Sequence, residues 1–184
     1  MWRGYTPLSI VFTVFHLFFL SLTSAKAAPP FPTTYDQCFS AAGARYQIEP
    51  LLLKAMSIGE SALNPIITNT NRDKKGNPLS KDYGLMQINS THIPKLVGMG
   101  VIQGADDLLK RPCLNIQIGA WILAKHFQVC GVSWNCLGSY NAGFRKDRHE
   151  TREKYANRIW GIYKKLKGIY ICEKTNRGQK CGQL

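Results

Sequence analysis

Glu60 is an acidic residue standing where an apolar stretch stops. From Pro50 the chain carries Leu52, Leu53, Ala55, Met56 and Ile58, apolar nearly all round a helix, then changes to Gly59, Glu60 and Ser61 before Pro65 limits continuation. A carboxyl at the mouth of a buried helix is desolvated, and desolvation raises its pKa until it can hold a proton near neutral pH and give it up. That is the chemistry of a general acid. A solvated carboxylate at a helix end is the plainer reading of the same residue. Two other segments mix small, polar and aromatic residues in a way that packing alone does not require: Tyr83 to Asn89 (Y-G-L-M-Q-I-N) and Ser139 to Gly143 (S-Y-N-A-G). There is no C-x-x-C, and no histidine stands at ligand spacing from a cysteine pair, so a zinc site is the weaker reading of the cysteines and no metal is expected.

Helices must position these groups. Thr34 and Gln37 read as a capping box for a first helix that carries Phe39 and Ala42 and runs to about Tyr46. Pro50 suits the first turn of the helix that ends near Glu60. Asn69 to Asp82 is polar and rich in turn formers, which predicts a loop or small β-hairpin. Ser90 can cap a short segment reaching Val97, with Gly98 and Gly100 beyond it. After Pro112, Leu114, Ile118, Trp121, Ile122 and Val129 share one helical face that ends near Cys130, and a short helix around Trp134, Leu137 and Tyr140 closes at Gly143. The last helix, about Asp147 to Lys167, puts Tyr155, Ile159, Ile162, Tyr163 and Leu166 on one packing stripe. The class is therefore mainly α with a small β-hairpin or loop region.

The ends of the chain bear on compartment. Arg3 precedes an apolar run from Leu8 to Leu22, followed by Ser24, Ala25, Lys26 and Ala27, which reads as a signal peptide over residues 1–27 cleaved after Ala27. The run falls short of the roughly 20 apolar residues that span a bilayer, so no stable membrane span is expected after cleavage. Residues 28–167 are expected to form one domain, and residues 168–184 a basic tail. Cys38, Cys113, Cys130, Cys136, Cys172 and Cys181 are even in number, which in an exported chain points to disulfides. Proximity favours Cys130 with Cys136 and Cys172 with Cys181, leaving Cys38 for Cys113. A formal net charge of +13 calls for an anionic partner. Nucleic acid is not expected, because an exported, disulfide-rich chain seldom meets it and no binding motif is present.

Taken in order, Glu60-Ser61, Tyr83 to Asn89 and Ser139 to Gly143 resemble the lytic transglycosylases of the lysozyme-like superfamily over about Cys38 to Gly143. The likeness is greatest to the small enzymes that accompany secretion machines, conjugation systems and type IV pili. Those pair a cysteine in the first helix with one in a P-C motif, as Cys38 and Pro112-Cys113 would, and continue with an Asn and a G-A-W-I-L-A run, here Asn115 and Gly119 to Ala124. The resemblance implies a lysozyme-like fold, a periplasmic enzyme acting on peptidoglycan glycan strands without a cofactor, and a monomer with contacts to such a machine. It makes Glu60 the catalytic acid and has Ser61 support it by hydrogen bonding. Gly84 would allow close backbone approach, Met86 and Gln87 would line the cleft, and Asn89 would steady the turn or the sugar. Tyr140 and Asn141 would come from the opposite wall, with the Tyr140 hydroxyl reaching toward Glu60 or the glycan.

Two other readings stand beside this one. Animal lysozymes carry a similar E-S dipeptide and a D-Y-G-(L/M)-Q-I-N-S run, echoed by Asp82 to Ser90, which makes Asp82 a candidate second carboxylate for a hydrolase. A glycan-binding assembly scaffold that keeps the fold without activity is the third.

Overall fold

The computed structural model describes residues 34–175, so the expected leader and the pairing of Cys172 with Cys181 lie outside the described residues. Helix α1 (Asp36–Tyr46) begins without the expected capping box: its N-cap is Tyr35, and no side chain caps it. The first turn instead carries Asp36, a charge that suits a helix N-terminus, and Asp36 is buried against Lys54 Nζ at 2.9 Å. Lys54 belongs to α2 (Pro50–Ser61), which opens with Pro50 as expected and buries Leu53, Ala55 and Met56. Just after Glu60 and Ser61 the chain reverses through two successive left-handed residues, Ala62 at φ 51° and Leu63 at φ 61°. Without glycine this conformation is costly and persists only where surrounding packing enforces it. The Ala62 N–H donates to the Ile58 carbonyl and the Leu63 N–H to that of Ser57, which closes the helix directly behind its acidic residue.

The hairpin is present and gains a third strand. β1 (Thr68–Arg72), β2 (Pro78–Tyr83) and β3 (Ile88–Asn89) form an antiparallel sheet in chain order, with Asp82 opposite both Asn69 and Asn89. The short segment that follows, the 3-10 turn Ser90–His92 leading into α3 (Ile93–Gly98), is capped by Asn89 rather than Ser90. Asn89 Oδ1 accepts from the Thr91 N–H, while Ser90 Oγ accepts from the Lys81 N–H and ties the turn to β2.

After the one-turn α4 (Asp107–Lys110), α5 (Pro112–Cys130) runs through the middle of the domain. Its core face is wider than a single stripe: Asn115, Ile116, Ile118, Gly119, Ala120, Ile122 and Leu123 are buried. Val129 is exposed, because the last turn of α5 runs past the core. Disulfides join Cys130 to Cys136, as proximity suggests, and Cys38 to Cys113, the pair left over. The first closes α5 onto α6 (Trp134–Leu137), and the second ties the start of α1 to the start of α5. α7 (Ser139–Ala142) ends at Gly143, and α8 (His149–Thr175) lays Tyr155, Ile159 and Tyr163 into the core. α8 does not stop near Lys167; it continues through Gly168 to Thr175, since one glycine costs a helix interior only about 1 kcal/mol and no proline follows. α2 and α8 approach closely at Gly59, where an added Cβ would stand 2.6 Å from Ile159 Cδ1. That contact brings the acidic end of α2 against the middle of α8.

Candidate functional site

At that crossing, Glu60 Oε1 accepts a hydrogen bond of 2.6 Å from the Tyr155 hydroxyl. Burial pushes the Glu60 carboxyl above the usual carboxylate range. The Tyr155 donor and the Arg158 guanidinium oppose the shift, and Asp82 adds to it. Arg158 is itself held in place, donating to the Gly59 carbonyl at 2.9 Å and lying 5.3 Å from the centre of the Tyr155 ring. Tyr155 is buried, and burial followed by the neighbouring Glu60 charge drives its own pKa well up, so its hydroxyl keeps its proton and serves as a donor. Sequence reasoning assigns Tyr155 to the packing stripe of the last helix. Nothing in its spacing separates it from Ile159 or Tyr163, because its partner lies 95 residues earlier.

The loop from Tyr83 to Gln87 is fastened by side chains from three helices. Ser57 and Ser61 of α2 both donate to the Leu85 carbonyl, at 3.1 and 2.9 Å. Ser61 thus fastens the end of its helix to the loop, its hydroxyl directed to the Leu85 carbonyl rather than to Glu60. Asn115 of α5, fully buried, gives its Nδ2 to the carbonyls of Tyr83 and Leu108 and accepts from the Met86 N–H at 2.8 Å. Gly84 must be glycine on two counts: its φ is 71°, and a Cβ there would lie 2.5 Å from Asn115 Nδ2 and 2.7 Å from the Leu108 carbonyl. The close backbone approach expected at Gly84 is thus present.

Met86 and Gln87 do not form an open lining. Met86 is fully buried against Gly119, where a Cβ would come within 2.7 Å of it, so it backs the wall. Gln87, also buried and at φ 46°, donates to the Gly84 carbonyl at 2.8 Å and accepts from Asn69 at 2.7 Å, which joins the loop to β1. Tyr140 donates to the Met86 carbonyl at 2.9 Å and stacks on Tyr155 with ring centroids 6.5 Å apart. The hydroxyl bonded to Glu60 is that of Tyr155, not Tyr140. Asn141, beside it on α7, is exposed.

Asp82 stands on β2 in a different setting. Its Oδ1 accepts from Asn89 Nδ2 at 2.7 Å and its Oδ2 from Asn71 Nδ2 at 2.8 Å, so each carboxylate oxygen has an amide donor from a neighbouring strand. Asn89 also donates to Ser80 at 2.9 Å, a second bond from β3 to β2. Chemically, the site offers a carboxyl whose burial favours its protonated form, a tyrosine donor fixed on it, and a second, hydrogen-bonded carboxyl group close enough to influence it. Among the described residues no cluster of His, Cys, Asp and Glu could hold a metal ion, and no helix is long and apolar enough to cross a membrane.

Comparison with known proteins places this geometry. The family model described as Transglycosylase SLT domain matches residues 37–162. A peptidoglycan-binding-like protein of Escherichia coli O157:H7 is 52% identical over 129 residues, covering 70% of this chain and 77% of that protein. Invasion protein IagB of Salmonella typhimurium is 40% identical over 145 residues, covering 79% of this chain and 86% of that protein. Among solved structures, an inactive mutant of lytic transglycosylase Slt from Pseudomonas aeruginosa superposes with a TM-score of 0.55 at 18% identity. The match covers 81% of this chain but only 25% of that one, and it shows the shared fold.

Proposed function

The chain belongs to the transglycosylase SLT domain family and is a peptidoglycan lytic transglycosylase, and from that premise we propose that Glu60 alone carries both proton transfers of the reaction. Protonated Glu60 gives its proton to the glycosidic oxygen between the muramyl and glucosaminyl units as the C1–O bond breaks. The N-acetyl carbonyl oxygen shields the charge that develops at C1, as the family resemblance implies. The Glu60 carboxylate then takes the proton of the muramyl C6 hydroxyl while that oxygen attacks C1, closing an anhydro ring and returning Glu60 to its starting state. No water is consumed.

One observation carries this reading: a carboxyl whose pKa is raised by burial and which is held by a tyrosine donor. Burial favours the protonated form that begins the cycle, and the Tyr155 hydroxyl supports the carboxylate that appears midway. Ser61, Gly84, Met86 and Gln87 act by fixing the helix end and the loop around Glu60. Asn141, exposed on α7, and Tyr140 beside it meet the glycan. Mass spectrometry of the muropeptides released from purified cell walls tests the proposal, since anhydro ends are one water lighter than reducing ends. Reducing ends would overturn it.

A second reading, hydrolysis with Asp82 as partner carboxylate, is favoured by the electrostatic influence of Asp82 on Glu60. Against it, both Asp82 oxygens are already engaged by amide donors, which suits a fixed charge better than an attacking nucleophile. We further propose that the leader over residues 1–27 delivers the enzyme to the periplasm. There it opens the wall locally for a secretion, conjugation or pilus apparatus; the likeness to IagB and the Cys38 and Cys113 pairing support that role. The positive charge of the chain suits the anionic stem peptides of the wall.

A further inference from the structure

The wall that contains Tyr155 and Tyr140 continues through side chains that no step above uses. The Tyr140 ring centre lies 6.4 Å from the His126 imidazole, and the imidazole lies 4.8 Å from the Phe144 ring. Tyr155 from α8, Tyr140 from α7, His126 from α5 and Phe144 just after Gly143 are thus linked ring to ring. The linkage begins at the Glu60 carboxyl and ends at a phenyl ring 46% exposed to water. Gly143, at φ 65°, turns the chain at the end of α7, and the residue that follows it lays its ring on His126.

His126 is also oriented. Its Nδ1 is 2.7 Å from Ser139 Oγ, and the Ser139 hydroxyl donates to the Cys136 carbonyl at 2.7 Å. With that proton committed, Ser139 Oγ can only accept, so Nδ1 carries the hydrogen and Nε2 presents a lone pair. Burial first, and the neighbouring His92 second, hold the imidazole pKa below its usual value, which keeps Nε2 an acceptor.

A half-exposed ring beside a fixed acceptor matches a pyranose, whose C–H face is apolar and whose rim carries hydroxyl and acetamido donors. We propose that His126 and Phe144 bind an N-acetylhexosamine unit of the glycan strand outside the bond that is cut, with Phe144 against the apolar sugar face and His126 Nε2 accepting from a sugar O–H or N–H. The proposal rests on Glu60 marking the cleavage point: Phe144 is three ring contacts away from Tyr155, so its sugar lies beyond the pair that flanks the scissile bond.

Calorimetry on the Glu60→Gln enzyme, with peptide-free GlcNAc–MurNAc octasaccharide and disaccharide, tests it. Phe144→Ala is expected to weaken octasaccharide binding about tenfold, and His126→Phe, which keeps a ring but loses the acceptor, about fivefold, with disaccharide binding unchanged. With Glu60 restored, both losses should fall on KM more than on kcat. Equal octasaccharide affinity for the parent and both variants overturns the assignment of His126 and Phe144 while leaving Glu60 in place. A parent that binds no octasaccharide overturns the glycan site as a whole.

Discussion

Glu60 and Asp82 are both carboxyls, and the fold treats them in opposite ways. Glu60 sits at a helix crossing with a single neutral donor, and burial pushes its pKa up. Asp82 sits on an open sheet with an amide donor on each oxygen. A carboxyl starved of solvent holds its proton more tightly, as Glu60 does, whereas the Asp82 oxygens are taken up in tying neighbouring strands together. The contrast is what the proposed single-acid cycle builds on, with Glu60 as the acid and Asp82 as part of the sheet that frames it.

The largest effect should come from removing the proposed acid. Glu60→Gln is expected to lower wall-degrading activity by about a thousandfold or more while the fold persists. More than a tenth of the parent activity in a folded variant would place the acid elsewhere. The same substitution has a stability signature. Because the folded-state pKa of Glu60 is raised, its contribution to stability is fully present below the usual carboxyl pKa and is lost as pH rises through the raised value. The Gln variant should therefore melt higher than the parent at neutral pH, and the difference should shrink in acid. A parent that melts no lower than the variant at neutral pH would mean that the carboxyl is well solvated.

Next in size is the residue that holds the loop between the two carboxyls. Asn115→Leu removes three hydrogen bonds and orphans the buried carbonyls of Tyr83 and Leu108, so thermal or urea unfolding should show a loss of about 2–4 kcal/mol. A loss below about 1 kcal/mol would show that the Gly84 loop holds itself.

Smaller still is the loss of the donor on Glu60. Tyr155→Phe should reduce turnover about tenfold and shift the pH profile. The hydroxyl favours the carboxylate, so removing it raises the Glu60 pKa further, and the limb on which activity falls with rising pH should move upward. A downward or absent movement would separate Tyr155 from the proton transfer.

Asp82→Asn should cost least, about tenfold or less, with anhydro ends before and after. Should it cost a thousandfold in a stable protein whose parent makes reducing ends, the two carboxyls would be acting as a hydrolytic pair.

Much of this was legible along the chain because it depends on local chemistry. The apolar run from Pro50 to Ile58 and the change at Gly59 and Glu60 define a buried helix ending in an acid, and the turn formers between Asn69 and Asp82 define the hairpin. Gly84 is marked by type as a point of close approach. Two of the cysteine pairings follow from proximity and elimination. What the sequence leaves open are pairings between residues far apart that share a helical stripe with ordinary core positions. Tyr155 reads like Ile159 until α8 crosses α2 at Gly59. Met86 reads like a cleft residue until Gly119 is found against it, and Ser61 like a partner of Glu60 until the Leu85 carbonyl claims its hydroxyl. Periodicity tells which face of an element is buried, not which side chain of another element it meets. The proton affinity of Glu60 depends on those meetings, so the sequence by itself determined where the acid stands in the chain, and only the tertiary structure decided what holds it and how strongly it keeps its proton.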